Sequence, residues 1–321
     1  MKIRLFLLLF FIWIQLEYSS GQSLKRVNFL PMWVPQPQFA GYYMAKEKGI
    51  YEKYGLDVNI INGNFDMDVT TYLKEGKADF GILNLSAALM DVDQNVNLVN
   101  VGQISQRSEM MFVAKKRSGI NSIEDFEGRK VAIWRTRLGE MTTGFLKKYN
   151  IEADVIRINE GVNIFLKDAV DICLVMHYNE YNSLINFGIN PDELSVFYFK
   201  DYDLNFPEDG IYCTQKTYEE NPELSKAFVE ASLEGWKYAL ANPDETLSVI
   251  KVIQEAANVR SNKTHSSWML QCMSENIQPQ EKKVTPGMLM ESDFNLTVDF
   301  LFRNQYIRSK PNYFLFFRGP K

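Results

Sequence analysis

The chain of 321 residues contains only two histidines, His177 and His265, and three widely separated cysteines, Cys173, Cys213 and Cys272. No CxxC pair exists to seed a zinc site or a thioredoxin-like motif, and most histidine-based proton shuttles lack parts. The odd cysteine count leaves at least one thiol unpaired even in an oxidising compartment. Cys173, inside the apolar stretch 172–176, reads as a small buried hydrophobe. Basic charge is in short supply: 35 Lys and Arg stand against 40 Asp and Glu, interleaved along the chain, for a net charge of -5. This argues against nucleic acid and against an anionic membrane surface, which both need a concentrated cationic face. Beyond the N-terminus there is no apolar run of the roughly 20 residues that crosses a bilayer, no low-complexity tract and no repeat of solenoid or propeller period.

What is there begins with Lys2 and Arg4, the apolar run 5–14 and the small residues Ser19, Ser20 and Gly21. This order reads as a secretory signal, residues 1–21, cut after Gly21; the run is too short for a membrane span, and no cysteine stands nearby to carry a lipid anchor. The remainder is long enough for two lobes. Short apolar runs at 27–30, 56–61 and 78–83 alternate with helical patterns at 39–48, 69–74 and from about Ser86, with Gly49 and Gly76 as stops. A second set has strands at 130–134, 154–158 and 171–176 and a helix at 139–149. Alternation of this kind implies α/β lobes with largely parallel sheets covered on both faces. From about Phe206 the pattern turns helical, through 222–240, 243–257 and 288–302. The expected organisation is lobe 1 over 22–111, lobe 2 over 112–205, and 206–321 returning to lobe 1. Crossovers near Met111 and 206–212 would leave a cleft able to close about a hinge. The aromatic segment 311–321, with Phe314, Phe316 and Phe317, is too apolar for a free tail and is expected to dock on lobe 1.

The block Trp33-Val34-Pro35-Gln36-Pro37-Gln38-Phe39-Ala40-Gly41-Tyr42-Tyr43-Met44-Ala45, with Tyr54-Gly55-Leu56-Asp57-Val58, resembles the periplasmic pyrimidine-precursor-binding family, which also includes the eukaryotic thiamine-pyrimidine synthase. Further matches are Gly76-Lys77-Ala78-Asp79-Phe80-Gly81, Phe126-Glu127-Gly128-Arg129-Lys130-Val131 and Met176-His177-Tyr178-Asn179-Glu180-Tyr181. The Gly-Lys-Ala-Asp-Phe-Gly block marks only the wider fold of type II periplasmic binding proteins. The resemblance implies that fold and a non-lipidated, monomeric periplasmic solute-binding protein without cofactor. Its partners would be an inner-membrane ABC permease with a cytoplasmic ATPase, and its ligand a heteroaromatic thiamine-pyrimidine precursor, formylated or hydroxymethylated, with a larger ring such as a flavin left open. Catalysis is not expected: where the synthase has its Schiff-base lysine this chain has Leu83, and its donor histidine falls at about Ala87.

Ligands of such folds sit at strand ends and first helical turns. Trp33, Tyr42 and Tyr43 are therefore candidates to stack on a planar ring, with Gln38, Asn84 and Trp134 completing the set near the cleft. The resemblance makes Glu180 the ligand-facing acid, able to accept from an exocyclic amine, beside Tyr178 and Asn179. Tyr42, Tyr43 and Tyr181 could equally be core or rim packing. The loop 134–140 supplies the rival reading: Arg135 and Arg137 could grip a sulfonate, nitrate-like or other small anion at a helix N-terminus, or could be solvated loop charges. His177 reads as structural, and a scaffold that has lost its ligand is a third reading.

Overall fold

The computed structural model describes residues 23–320 except 65, 160, 281 and 282; the stretch read as a secretory signal lies outside them. Two five-stranded sheets carry the chain. In the first, β1 (Lys25–Leu30) pairs in parallel with β2 (Leu56–Ile60) and β3 (Phe80–Asn84). The other edge is β4 (Leu98–Gln103), separated from β3 by β10 (Asp209–Thr214), which runs antiparallel to both. The second sheet has β5 (Met110–Lys115), β6 (Lys130–Trp134), β7 (Asp154–Ile158), β8 (Ile172–Met176) and β9 (Leu194–Tyr198) in the order β7-β6-β8-β5-β9. Each sheet thus has one reversed strand reached through a crossing segment, 104–109 on the way out and 199–208 on the way back. These segments bury Ser105, Gln106, Ser108, Glu109 and Glu208. Several of their polar groups pair across the two segments: Glu109 N–H donates to Glu208 Oε1 at 2.7 Å, and Ser108 N–H to Asn205 Oδ1 at 2.9 Å.

Among the described residues, the helices of eight residues or more are α1 (Ala40–Glu47), α2 (Leu85–Asp93), α3 (Arg137–Lys148), α4 (Pro222–Ala241), α5 (Pro243–Ala256), α6 (Lys263–Ile277) and α7 (Glu291–Arg303). Asn221 caps α4 by accepting from Leu224 N–H at 3.0 Å, with Pro222 at the first helical position where its missing N–H costs nothing. This helix lies on α1 at a glycine contact: a Cβ on Gly235 would stand 2.2 Å from the Gly41 carbonyl oxygen, and one on Gly41 2.2 Å from the Trp236 ring. So close an approach covers the outer face of α1, while its inner face covers the sheet. Tyr42 consequently packs between Phe29, centroids 4.7 Å apart, and Trp236, 6.0 Å apart. No helix among the described residues is long and apolar enough to cross a membrane.

Three elements go beyond the sequence pattern. Strand β4 is wholly buried yet contains Asn100 and Gln103, and α6 buries Ser266 and Asn276, so polar side chains interrupt both apolar periods. Strand β9 has mixed exposure. The C-terminal segment docks beside β4, where Arg318 N–H donates to the Asn100 carbonyl at 2.8 Å; Phe316 and Phe317 are buried, while Phe314 stays 65% exposed. All three cysteines are buried free thiols, Cys173 among them.

Candidate functional site

A cavity of about 340 Å³ lies between the two sheets, at the ends of the parallel strands. Lobe 1 supplies Met32, Trp33, Gln36 and Gln38 from the segment after β1, Asn64, Met67 and Thr70 from the segment after β2, and Leu83, Asn84, Ala87 and Asp91 from β3 and α2. Lobe 2 supplies Trp134, Thr136, Arg137 and Leu138 after β6, Asn159 after β7, and Met176, Tyr178, Asn179 and Glu180 at the end of β8. Strand ends converge here because each βα turn exposes its first residues to the crevice.

Of the candidates read from sequence, the structure brings together Trp33, Gln38, Asn84, Trp134, Tyr178, Asn179 and Glu180. It leaves out three. Tyr42 and Tyr43 are core residues of α1, because α4 buries the face that would otherwise turn outward. Arg135 is exposed, its Nε donating to the Arg157 carbonyl at 3.3 Å, because the chain is still extended there beside β7. The cavity arginine is Arg137, in the first turn of α3, and it forms an ion pair with Asp91 of α2 in the opposite lobe. Thr70 Oγ1 donates to the second oxygen of Asp91 at 2.6 Å. Burial raises the Asp91 carboxyl from its ordinary value, opposed by Thr70 and the Arg137 charge.

The lobe-2 polar groups are committed to one another. Glu180 accepts from Met176 N–H at 2.9 Å and from Asn179 Nδ2 at 3.0 Å, closing the turn His177–Tyr181 onto the end of β8. Asn179 Oδ1 in turn meets His265 Nε2 at 3.1 Å, and His265 Nδ1 meets Asn182 Oδ1 at 2.9 Å. Burial lowers the His265 imidazole from its ordinary value. Helix α6 thus pins this turn, and Trp268 Nε1 adds a bond to the His177 carbonyl at 2.9 Å. His177 lies outside the cavity, on Glu109 Oε2 at 3.0 Å, the structural role expected for it. Tyr178 is buried, and its phenol is raised well above the ordinary value by burial and then by Asp209, Glu208, Glu180 and Glu109, so it is neutral.

Lobe 1 differs. Gln36 Nε2 donates to Gln38 Oε1 at 2.5 Å, and Gln38 Nε2 to Asp209 Oδ2 at 2.7 Å. Asp209 Oδ1 has no partner among the described residues, and burial pushes this carboxyl up to about 7, against the Gln38 bond. Asn84 is 7% exposed, with a buried Oδ1 that meets no donor and an Nδ2 whose contact is the Met32 sulfur at 3.7 Å. Gln36, Thr70 and Asp91 were not singled out from sequence, whereas Arg137 was, as one of the two loop arginines. Gln36 was within reach, since it stands in the Trp33–Ala45 block; nothing in one sequence pairs Asp91 with Arg137. No cluster able to hold a metal ion occurs among the described residues.

With this geometry in place, the profile of the family described as NMT1/THI5 like matches residues 36–246. The chain belongs to the NMT1/THI5-like family. It is 28% identical over 250 residues to the riboflavin-binding protein RibY of Chloroflexus aurantiacus, covering 74% of this chain and 69% of that one. It is 24% identical over 254 residues to the formylaminopyrimidine-binding protein of Halalkalibacterium halodurans, covering 75% and 74%. Among solved structures it superposes on the periplasmic aliphatic sulphonate-binding protein SsuA of Escherichia coli with a TM-score of 0.69 at 13% identity, over 90% of this chain and 95% of that one. The NMT1/THI5-like chain therefore has the periplasmic-binding-protein fold, two α/β lobes with the cleft between them.

Proposed function

We propose that this protein is the non-catalytic solute-binding component of an ABC importer, exported to the periplasm, where it works as a monomer. Its ligand is a planar nitrogen heterocycle of the thiamine-pyrimidine-precursor kind, delivered to an inner-membrane permease driven by a cytoplasmic ATPase. One observation carries the reading: Trp33 from lobe 1 and Trp134 and Tyr178 from lobe 2 line the same cavity. Aromatic faces from both lobes engage a flat ring when the cleft closes, at about 1–3 kcal/mol per stacked ring by analogy with bases. The names of the two relatives, one for a pyrimidine and one for a flavin, support the class.

The volume favours a second reading within that class. At about 340 Å³ the cavity holds more than one substituted pyrimidine ring fills and sits at the low end of the roughly 300–1,000 Å³ range of pockets for drug-sized ligands. A flavin fits that description. The anion reading is weaker, because Arg137 is the cationic side chain among the described lining residues and Asp91 neutralises it. A sulfonate would have to displace a carboxylate that Thr70 also holds. The enzyme reading is weaker too: Leu83 and Ala87 line the cavity where the synthase has its lysine and histidine, and no Lys or His is among the described lining residues.

The test is a thermal-shift screen of the chain from Gln22 onward with 4-amino-5-hydroxymethyl-2-methylpyrimidine, formylaminopyrimidine, riboflavin, thiamine and ethanesulfonate. A ligand at 100 times its Kd stabilises by about 2.7 kcal/mol. A shift with a pyrimidine or with riboflavin selects between the two heterocycle readings; a shift with ethanesulfonate alone overturns both.

A further inference from the structure

The amides on the lobe-1 side of the cavity have a definite polarity. A carboxylate oxygen in the interior only accepts, so Asp209 Oδ2 fixes which end of Gln38 faces it: Nε2 donates, at 2.7 Å. Gln38 Oε1 must then point the other way, where it accepts Gln36 Nε2 at 2.5 Å. That leaves Gln36 Oε1 as the open end of the chain, on a residue that lines the cavity. This order follows for the ionised carboxylate; the Asn84 Oδ1, buried without a donor, does not depend on it.

Asn84 arrives at the same polarity independently. It stands at the N-cap of α2, where asparagine ordinarily bonds the first turn, yet its side chain makes no capping bond. The backbone around it is otherwise served, since Leu85 N–H donates to the Glu208 carbonyl at 3.0 Å. Strand register sets Asn84 opposite Asp209, so both amide systems meet at the end of the β3–β10 pair in the interior of the sheet. A buried carbonyl oxygen without a donor is expensive to leave unmade, and in native proteins such a group usually meets a ligand or ordered water.

We infer that Asn84 Oδ1 and Gln36 Oε1 are acceptors that read the edge of the ligand, and that the site selects heterocycles presenting N–H donors there, an exocyclic amino group or an imide N–H. The inference rests on the heterocycle reading of the cavity and adds to it which edge is recognised and by which lobe. The aromatic faces hold any flat ring; the amides reject a ring whose edge offers only acceptors or methyl groups.

Calorimetric titration of the chain from Gln22 onward tests it with two matched pairs: riboflavin against 3-methylriboflavin, and 4-amino-5-hydroxymethyl-2-methylpyrimidine against its dimethylamino analogue. The N–H member of the pair that binds should bind about 10- to 100-fold more tightly than its methylated partner. Asn84→Leu should erase most of that ratio, lowering affinity for the N–H ligand by a similar factor while leaving the methylated one within about threefold. Gln36→Met should do the same more weakly and serves if Asn84→Leu does not fold. Equal affinity within the pair, or a ratio that survives both substitutions, overturns the edge assignment while leaving ring binding intact. Binding by no heterocycle, in the wild-type chain, overturns the ring reading itself and this inference with it.

Discussion

The two walls of the cavity are built from similar residue types and leave them in opposite states. On the lobe-2 wall, Glu180, Asn179 and His265 are bonded in series and the turn they form is pinned by α6. On the lobe-1 wall, Asn84 Oδ1 has no donor and the Gln36–Gln38 chain ends in the cavity. A polar residue at a strand end is therefore not a ligand contact by virtue of its type. What decides is whether the fold has already used its hydrogen bonds. In the proposed reading both lobes supply aromatic faces, Trp33 from one and Trp134 and Tyr178 from the other, while the open amides of lobe 1, rather than the committed Glu180 of lobe 2, read the ligand edge.

The largest expected effect that would sharpen this contrast lies beneath the lobe-1 wall. Asp209 titrates near 3.8 when unfolded and at about 7 when folded, so between those values the folded state holds the proton and the unfolded state does not. Stability contributed by this group is therefore present below about pH 4, falls as pH rises towards 7, and is level above it. Asp209→Asn keeps an acceptor for Gln38 and removes the ionisation. Thermal unfolding between pH 4 and 8 should show a shallower decline for the variant, with a gain at pH 8 of up to about 4 kcal/mol. An unchanged slope would separate Asp209 from the pH response.

Trp134→Ala comes next. It should weaken the heterocycle by roughly 10- to 100-fold in a binding titration, the value of one stacked ring, and should also lower the unliganded melting temperature, because the side chain is buried and its loss leaves a cavity. Asp91→Asn should give a smaller loss for the heterocycle together with a gain for an anion. It frees Arg137, so affinity for the heterocycle should fall about three- to tenfold as the interlobe pair is lost, while ethanesulfonate should gain measurable binding. Glu180→Gln should be the mildest. Ligand affinity is expected to stay within about threefold of wild type, with a stability loss of about 1 kcal/mol from the turn, because the carboxylate serves Met176 N–H and Asn179 rather than solvent. A large affinity loss from Glu180→Gln with none from Asn84→Leu would exchange the roles of the two walls.

How far this could be seen in the sequence depended on burial. Strands β6 and β7 stand out because apolar runs are bounded by polar and glycine residues, and their limits agree with the pattern residue for residue. Strand β4 and helix α6 do not, since Asn100, Gln103, Ser266 and Asn276 are buried polar residues, and Gln103 and Asn276 bond partners far away in sequence. The aromatic block after β1 suggested Trp33, which lines the cavity, but Tyr42 and Tyr43 follow on a helix buried on both faces, and only the Gly41–Gly235 contact with α4 reveals it. The arginine loop turned on two residues. Helix α3 begins at Arg137, which turns that side chain to Asp91 and leaves Arg135 on the extended segment outside.

The central claim is that a flat heterocycle is held between aromatic faces of both lobes. Calorimetric titration of the chain from Gln22 onward and of its Trp134→Ala variant, with riboflavin, 4-amino-5-hydroxymethyl-2-methylpyrimidine and ethanesulfonate, tests it most directly. The account predicts saturable one-to-one binding of one of the two heterocycles, weakened by roughly 10- to 100-fold in the variant, and no binding of the sulfonate. Tight sulfonate binding that is indifferent to Trp134, with neither heterocycle bound, would contradict it.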